Sequence, residues 1–370
     1  MRISQIRRIY QFFAILFFLI FLNGAGQSQS KAVPQLVKLQ WKKCLICHAK
    51  PGLKKVTSEG EVISLFVNQK ELAHSIHKNV PCQQCHMDIV TIPHKGAIKR
   101  VDCSRCHYAG SPIEPKNTKR YAQLQNSVHG IALAKGNPNA PRCQDCHGGH
   151  DVYPPSDSSS HINKFRVAKT CGKCHPKEYN NFEKSIHAKA LNKHKSEAPT
   201  CINCHGGHTI ESPKQKTSSV YASRIPDTCS KCHGSIKVVG PFGIPTQQVT
   251  TYKNSFHGIA TQFGEIRAAN CASCHGYHSI LPASNPNSRI NKKNLPKTCG
   301  KCHKNINRNV ELGKVHVNPR QKSAGIIFYV SSFFKYLTIT VLVALMLHII
   351  LDVNHKLREK RAGKKKETEK

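Results

Sequence analysis

Nine copies of Cys-x-x-Cys-His constrain this chain more than any other feature. They begin at Cys44, Cys82, Cys103, Cys143, Cys171, Cys201, Cys229, Cys271 and Cys299, and together they use all 18 cysteines. Two thiols three positions apart can each form a thioether to one of the two vinyl groups of a single haem. The histidine that follows is then held under the iron. The spacing predicts covalent attachment through Cys44 and Cys47, Cys82 and Cys85, Cys103 and Cys106, Cys143 and Cys146, Cys171 and Cys174, Cys201 and Cys204, Cys229 and Cys232, Cys271 and Cys274, and Cys299 and Cys302. The proximal ligands are then His48, His86, His107, His147, His175, His205, His233, His275 and His303. Four-cysteine zinc sites need the pairs to combine, but nine is odd, and zinc does not ask for a histidine after every pair. A disulfide framework would scatter its cysteines instead of confining them to one motif.

The region between the two ends is rich in Lys, Pro, Gly, Ser and Asn, and a conventional apolar core looks thin there. Nine porphyrins supply the missing apolar surface, so the haems are expected to be the core. The formal charge is +36. A basic chain commonly meets nucleic acid or an anionic surface. Haem offers another reason: two propionates each bring about 18 negative charges that Lys and Arg can pair. The remainder is a solvated surface able to steer an acidic redox partner, with no nucleic acid required.

Internal repetition orders the middle of the chain. Ser127-Val128-His129, Ser185-Ile186-His187 and Ser255-Phe256-His257 each place a histidine 14 positions before a motif. Each of those motifs continues as Cys-His-Gly-x-His, giving His150, His208 and His278, each 21 positions before a further motif. The repeats lie near 75–107, 127–175, 185–233 and 255–303. The first is contracted, with Ser75-Ile76-His77 before Cys82 and His94 before Cys103, and the lone motif at Cys44 precedes it. Short helices are expected before each Ser-x-His, over Lys177 to Ile186 and Val249 to Phe256, and at the motifs themselves. Prolines such as Pro154, Pro155, Pro213 and Pro282 break the links.

A sixth iron ligand is expected to be histidine. The three methionines are Met1, Met87 and Met346, none placed for ligation. Of the 23 histidines, eight outside the motifs hold repeat positions: His77, His94, His129, His150, His187, His208, His257 and His278. His316 follows the last motif where the next Ser-x-His would fall and is the ninth candidate. His74, His161 and His194 align with non-histidine residues in other repeats and are expected to be bland. The result is nine bis-histidine irons of low potential.

The ends carry targeting signals. Residues 1–26 form a signal peptide: Arg2, Arg7 and Arg8, then the apolar run Phe12 to Leu22 and small residues near Ala25 and Gly26. Residues 27–320 form the haem domain. Residues 325–353 are apolar except for Lys335, His348 and Asp352 and read as one transmembrane helix. Residues 354–370 carry eight Lys/Arg against three Glu, a positive-inside flank. The expected topology is a single pass through a bacterial cytoplasmic membrane, with the haem domain in the periplasm and the tail in the cytoplasm.

These motifs resemble the periplasmic multihaem c-type cytochromes, class III-like in having bis-histidine irons and little regular structure. The resemblance covers roughly residues 40–320. It implies a mostly irregular fold with short α-helices cored by haem, nine covalently attached haems c, and edge-to-edge packing. The segment Phe328 to Glu359, with Leu347-His348 and Leu351-Asp352, is similar to anchors of multihaem cytochromes that work beside an integral b-type cytochrome. Such a partner, or another quinol-oxidising subunit, together with periplasmic electron-transfer proteins, is what the resemblance implies. Two function classes follow. One is an electron-transfer subunit of an oxidoreductase complex, without a catalytic residue of its own. The other is a reductase of nitrite, hydroxylamine or a sulfur oxyanion, which needs one open iron. The motif at Cys44, with no histidine nearby before His74, is the best place for an open iron.

Overall fold

The computed structural model describes residues 35–57, 60–94, 98–113, 119–313 and 315–368. The expected signal peptide, residues 1–26, lies outside them. The described chain is a succession of short helices and irregular links, ending in one long apolar helix. It divides into two units, residues 1–105 with 147–154, and residues 106–146 with 155–370.

In the first unit, helix Gln35–His48 carries the first motif at its end. A hairpin follows, Lys54–Val56 against Val62–Ser64, antiparallel with Lys55 opposite Ile63. Trp41 and Leu72 form a small buried cluster against Leu45, Val67 and Cys82. The Ile76 amide donates to the Val152 carbonyl at 2.9 Å, which joins the Ser75-Ile76-His77 turn to the residues just after His150.

The second unit holds the full repeats, and the reason for the serine in Ser-x-His is local. Ser127, Ser185 and Ser255 are helix N-caps whose hydroxyls accept the amides of Gly130, Ala188 and Gly258, each at 3.1 Å. The expected helices before Ser-x-His therefore stop short of the serine. They run Lys119–Gln125, Pro176–Glu183 and Gln247–Lys253. New helices then begin one residue after the serine, at Val128–Ala134, Ile186–Asn192 and Phe256–Gln262, and carry the histidine at their second position. The expected stretches Lys177 to Ile186 and Val249 to Phe256 each ran through a break that the serine enforces.

Successive repeats are interleaved by the same backbone bond. Val128 donates to Ile210 and Ile186 to Ile280, each at 2.8 Å. In both cases the acceptor lies two residues beyond the histidine of the next repeat's Cys-His-Gly-x-His.

Conventional core is scarce. Twelve hydrophobic side chains are buried among the described residues, four of them alanine. The most completely buried side chains are serines: Ser75, Ser127, Ser160, Ser185, Ser218 and Ser288. Small polar residues buried in serial positions brace the backbone, but they cannot supply the apolar burial that normally offsets conformational entropy.

The last helix runs Ile326–Thr368, and its first 36 residues, Ile326–Arg361, are long and apolar enough to cross a membrane. It continues beyond the expected end at 353 into the basic tail. Lys, Arg and Glu are good helix formers, and the pair Asp352–Lys356 at 2.8 Å spans one turn.

Candidate haem-ligand array

The motif residues sit on single turns or at helix ends. Cys143–His147, Cys201–His205 and Cys271–His275 are five-residue helices. The glycine after each histidine has positive φ: 85° at Gly148, 79° at Gly206 and 81° at Gly276. Only glycine adopts this conformation readily, and it turns the chain out of the motif toward the second histidine. The motifs at Cys171, Cys229 and Cys299 are braced from behind. Thr170, Thr228 and Thr298 donate to the carbonyls of His161, Ser219 and Arg289 at 2.7, 2.6 and 2.7 Å.

The histidine rings then meet in pairs. In the first unit His48 faces His94 with ring centroids 6.0 Å apart, and His86 faces His150 at 6.1 Å. In the second, His175 faces His129 at 6.2 Å, His233 faces His187 at 6.3 Å and His303 faces His257 at 5.8 Å. His205 faces His278 at 6.1 Å, and His275 faces His316 at 6.2 Å. Every pair joins one motif histidine to one histidine outside the motifs. Two metal–imidazole bonds of about 2 Å along one axis put ring centroids roughly 6 Å apart. These rings therefore stand at the separation of a six-coordinate metal's axial ligands and too far apart for stacking contact. The donor set fits a haem iron.

The pairs follow two rules. A Ser-x-His histidine meets the second motif of its own repeat, always 46 residues on: His129 with His175, His187 with His233, His257 with His303. A Cys-His-Gly-x-His histidine meets the first motif of the preceding repeat, as His150 with His86 and His278 with His205. His316 plays that part for the last repeat, and His94 does so for the lone motif. The motif at Cys44, which in sequence looked bare of a second histidine, is thus faced by His94. His107 and His147, with His77 and His208, are half-buried.

Ring tautomers are set by the other nitrogen. His48 Nδ1 donates to the Leu65 carbonyl at 2.7 Å. The Thr251 hydroxyl donates to Gln248 at 2.9 Å and stands 3.1 Å from His316 Nδ1, so it accepts from that ring. Both bonds leave Nε2 without the proton, the form that ligates a metal. Burial lowers the pKa of His86, His129, His205, His208, His233, His275, His278 and His316. His187 is lowered to about 4, first by burial and then by His233. Neutral imidazoles are the ligating species.

None of the three bland histidines belongs to these seven pairs. His74 is exposed and meets Tyr153 edge-on at 5.0 Å. His161 offers its carbonyl to Thr170. His194 has φ 54°, at the place where Gly136 and Gly264 have 77° and 89°.

Cysteines of successive motifs lie against each other. Cys82 is pushed up to about 11 by burial and by Cys44, which shares a hydrogen bond with it. Cys171 is raised by its hydrogen bond to Cys201 and by burial, and Cys229 likewise by Cys271 and burial. Cys146 is pushed up to about 11 by burial, then by Cys171. Burial also raises Cys204 and Cys274, which feel Cys232 and Cys299 respectively. Thioethers do not titrate, so the lasting content is proximity. The six motifs from Cys143 to Cys299 neighbour one another in chain order.

Residues 52–160 match the class III cytochrome C family. Class III cytochromes carry covalently bound haem c and transfer electrons, and the matched stretch spans the motifs at Cys82, Cys103 and Cys143. No curated protein and no solved structure matches the chain. Beyond residue 160, five further motifs continue the register of the class III-like stretch.

Sequence reasoning found the histidines but missed three supporting sets: the capping serines, the positive-φ glycines and the bracing threonines. All three recur at fixed register, so the repeat alignment that sorted the histidines would also have found them.

Proposed function

We propose that this chain is a membrane-anchored electron relay holding nine haems c, each with one motif histidine and one histidine from outside the motifs on its iron. The observation that carries this reading is the set of seven ring pairs at 5.8–6.3 Å, each joining the two kinds of histidine. Haem c supplies reversible one-electron chemistry. The chain's own residues fix ring orientation, keep the imidazoles neutral and set successive attachment sites side by side. With both axial positions filled there is no place for substrate, so relay is preferred to reduction of a small oxyanion, and no catalytic residue is assigned. Lys and Arg balance the propionates and leave a basic surface for periplasmic redox proteins.

In this reading residues 27–320 lie in the periplasm, the helix from Ile326 crosses the cytoplasmic membrane, and the basic tail lies inside. The electron donor or acceptor at the membrane is an integral b-type cytochrome or quinol-oxidising subunit. His348 lies near the cytoplasmic end of the span, where it either reaches the headgroups or faces this partner. A pyridine haemochrome assay with EPR on purified protein tests the core of the proposal: nine haems per chain and no high-spin iron are expected. A ratio near four or five, or zinc in place of iron, overturns it. The partner is tested by mild-detergent co-purification and by replacing residues 325–353 with an unrelated apolar span. The haems should remain and quinol-driven reduction should be lost. Reduction at the native rate makes the segment a mere tether.

A further inference from the structure

The last repeat differs from its siblings on one helix face. Phe256, Ile259 and Phe263 fall at i, i+3 and i+7 along helix Phe256–Gln262 and its C-cap, so they share a side. They are 85, 47 and 89% exposed. The same three positions are Val128, Ile131 and Lys135 in the second repeat, and Ile186, Lys189 and Lys193 in the third, with every one of those lysines exposed. Large exposed apolar side chains at consecutive helical positions call for a covering surface. The repeats that lie farther along the chain from the membrane helix carry lysine at one or two of these positions, and their exposed apolar members, Ile131 and Ile186, are only 41 and 42% exposed.

The position of this face in the chain indicates what covers it. His316 is hydrogen-bonded to Thr251, on the helix just before Phe256. Ile326, the start of the apolar helix, lies only ten positions beyond His316. A fully extended chain of that length spans at most about 35 Å. The last repeat is therefore tied close to the bilayer surface by its own ligand-bearing segment. Leu312 and Val315 on that segment are also exposed, at 84 and 64%. A short helix with an aromatic and aliphatic face, held beside a membrane span, is suited to lying in the interface with that face among the lipid chains.

We propose that the Phe256–Ile259–Phe263 face of the last repeat dips into the lipid interface of the membrane crossed by the C-terminal helix. This rests on the reading of that helix as a membrane span. The consequence is positional: His257, adjacent to Phe256 and paired with His303, is held at the membrane surface. The last haem site is then the one nearest the quinol pool.

The test uses the full chain in nanodiscs or native membranes, with benzoylphenylalanine placed singly at 256, 263 or 193. After irradiation the protein is analysed for covalent lipid adducts. Lipid adducts are expected at 256 and 263, at least tenfold above those at 193. Adducts only to another polypeptide overturn the proposal in favour of a protein partner on this face. Absence of adducts at 256 and 263, or equal yield at 193, overturns it outright. A haemochrome count on each variant verifies that the array is intact. Alkaline carbonate extraction separates the two readings. A chain that extracts has no membrane span, and both fail. A chain that is retained but gives no lipid adducts keeps its anchor and loses only this inference.

Discussion

The third repeat, residues 185–233, and the last, residues 255–303, share one register but are completed by different means. In the third, the ring facing His205 comes from the next repeat, His278, and the backbone is joined there by Ile186 to Ile280. The last repeat has no successor. The ring facing His275 is His316, from the segment leading to the membrane helix, held by Thr251. A repeat here is half of two sites: it completes its own second motif and lends a histidine backwards to its predecessor. Such an array must be terminated by something that is not a repeat, as repeat proteins in general need distinct caps. The segment 304–325 serves as that cap and ties the array to the helix.

The comparison presupposes that haem, and not side-chain packing, holds both repeats together. Ala188, Leu191 and Ala198 of the third repeat join Ala168 and Phe182 in one small cluster, and among large hydrophobic side chains the third repeat buries only Leu191 and the last only Leu295. Chain produced without covalent haem should lose both repeats alike. Far-UV circular dichroism should retain little helical signal beyond that of Ile326–Thr368. A haem-free chain with a full helical spectrum and a cooperative melt would show that packing suffices.

The next largest effect separates the two ways of completing a site. His278→Ala and His316→Ala should each convert one iron to high-spin, seen by EPR, with the others unchanged. If His316→Ala leaves all irons low-spin while His278→Ala does not, the cap is not a ligand donor and the last repeat ends otherwise. His74→Ala should be silent in the same measurement.

A smaller effect tests the shared helix cap. Ser185 is fully buried and Ser255 is half-buried. Losing an N-cap costs about 1 kcal/mol, and leaving the amide without a partner in a buried setting costs up to about 2 kcal/mol. Ser185→Ala should lower stability by about 1–2 kcal/mol and Ser255→Ala by about 0.5–1 kcal/mol, read from denaturant midpoints. Equal losses would mean that the last repeat is as closed as the third.

Much of this arrangement was legible in the sequence, and what was not has a physical cause. Motif and spare histidines could be sorted because the repeat spacing is regular. The offset of 46 between Ser-x-His and the second motif recurs unchanged at 129, 187 and 257, but a constant offset does not say which rings meet, so the pairing is visible only in the structure. The other pairs span 46 residues for His94 to His48, 64 for His150 to His86, 73 for His278 to His205 and 41 for His316 to His275. Those distances vary because links between repeats vary; the third and last repeats are separated by the added turns Ile236–Val239 and Gly240–Phe242. Contraction hid the role of His94, since it stands before Cys103 yet turns back to the lone motif. The helix breaks at Ser185 and Ser255 were missed because propensity across Lys177 to Ile186 gives no hint that a serine hydroxyl will claim the amide three residues on.

The smallest predicted effect concerns His194 and sharpens the same comparison. It ends helix Ile186–Asn192 just past the C-cap Lys193, and Gly264 ends the equivalent helix of the last repeat just past Phe263. Both have positive φ, 54° and 89°. For a residue with Cβ this conformation costs about 1 kcal/mol, whereas glycine adopts it freely. In return His194 gains only a tilted ring contact with Phe165 at 5.2 Å, between two exposed side chains. The contact is too wet to offset the backbone term. His194→Gly should therefore raise stability by up to about 1 kcal/mol while every iron stays low-spin. A destabilised protein would show that the Phe165 contact outweighs the strain. A high-spin signal would be graver, because it would make His194 an iron ligand and leave one of the nine assigned histidines without a site.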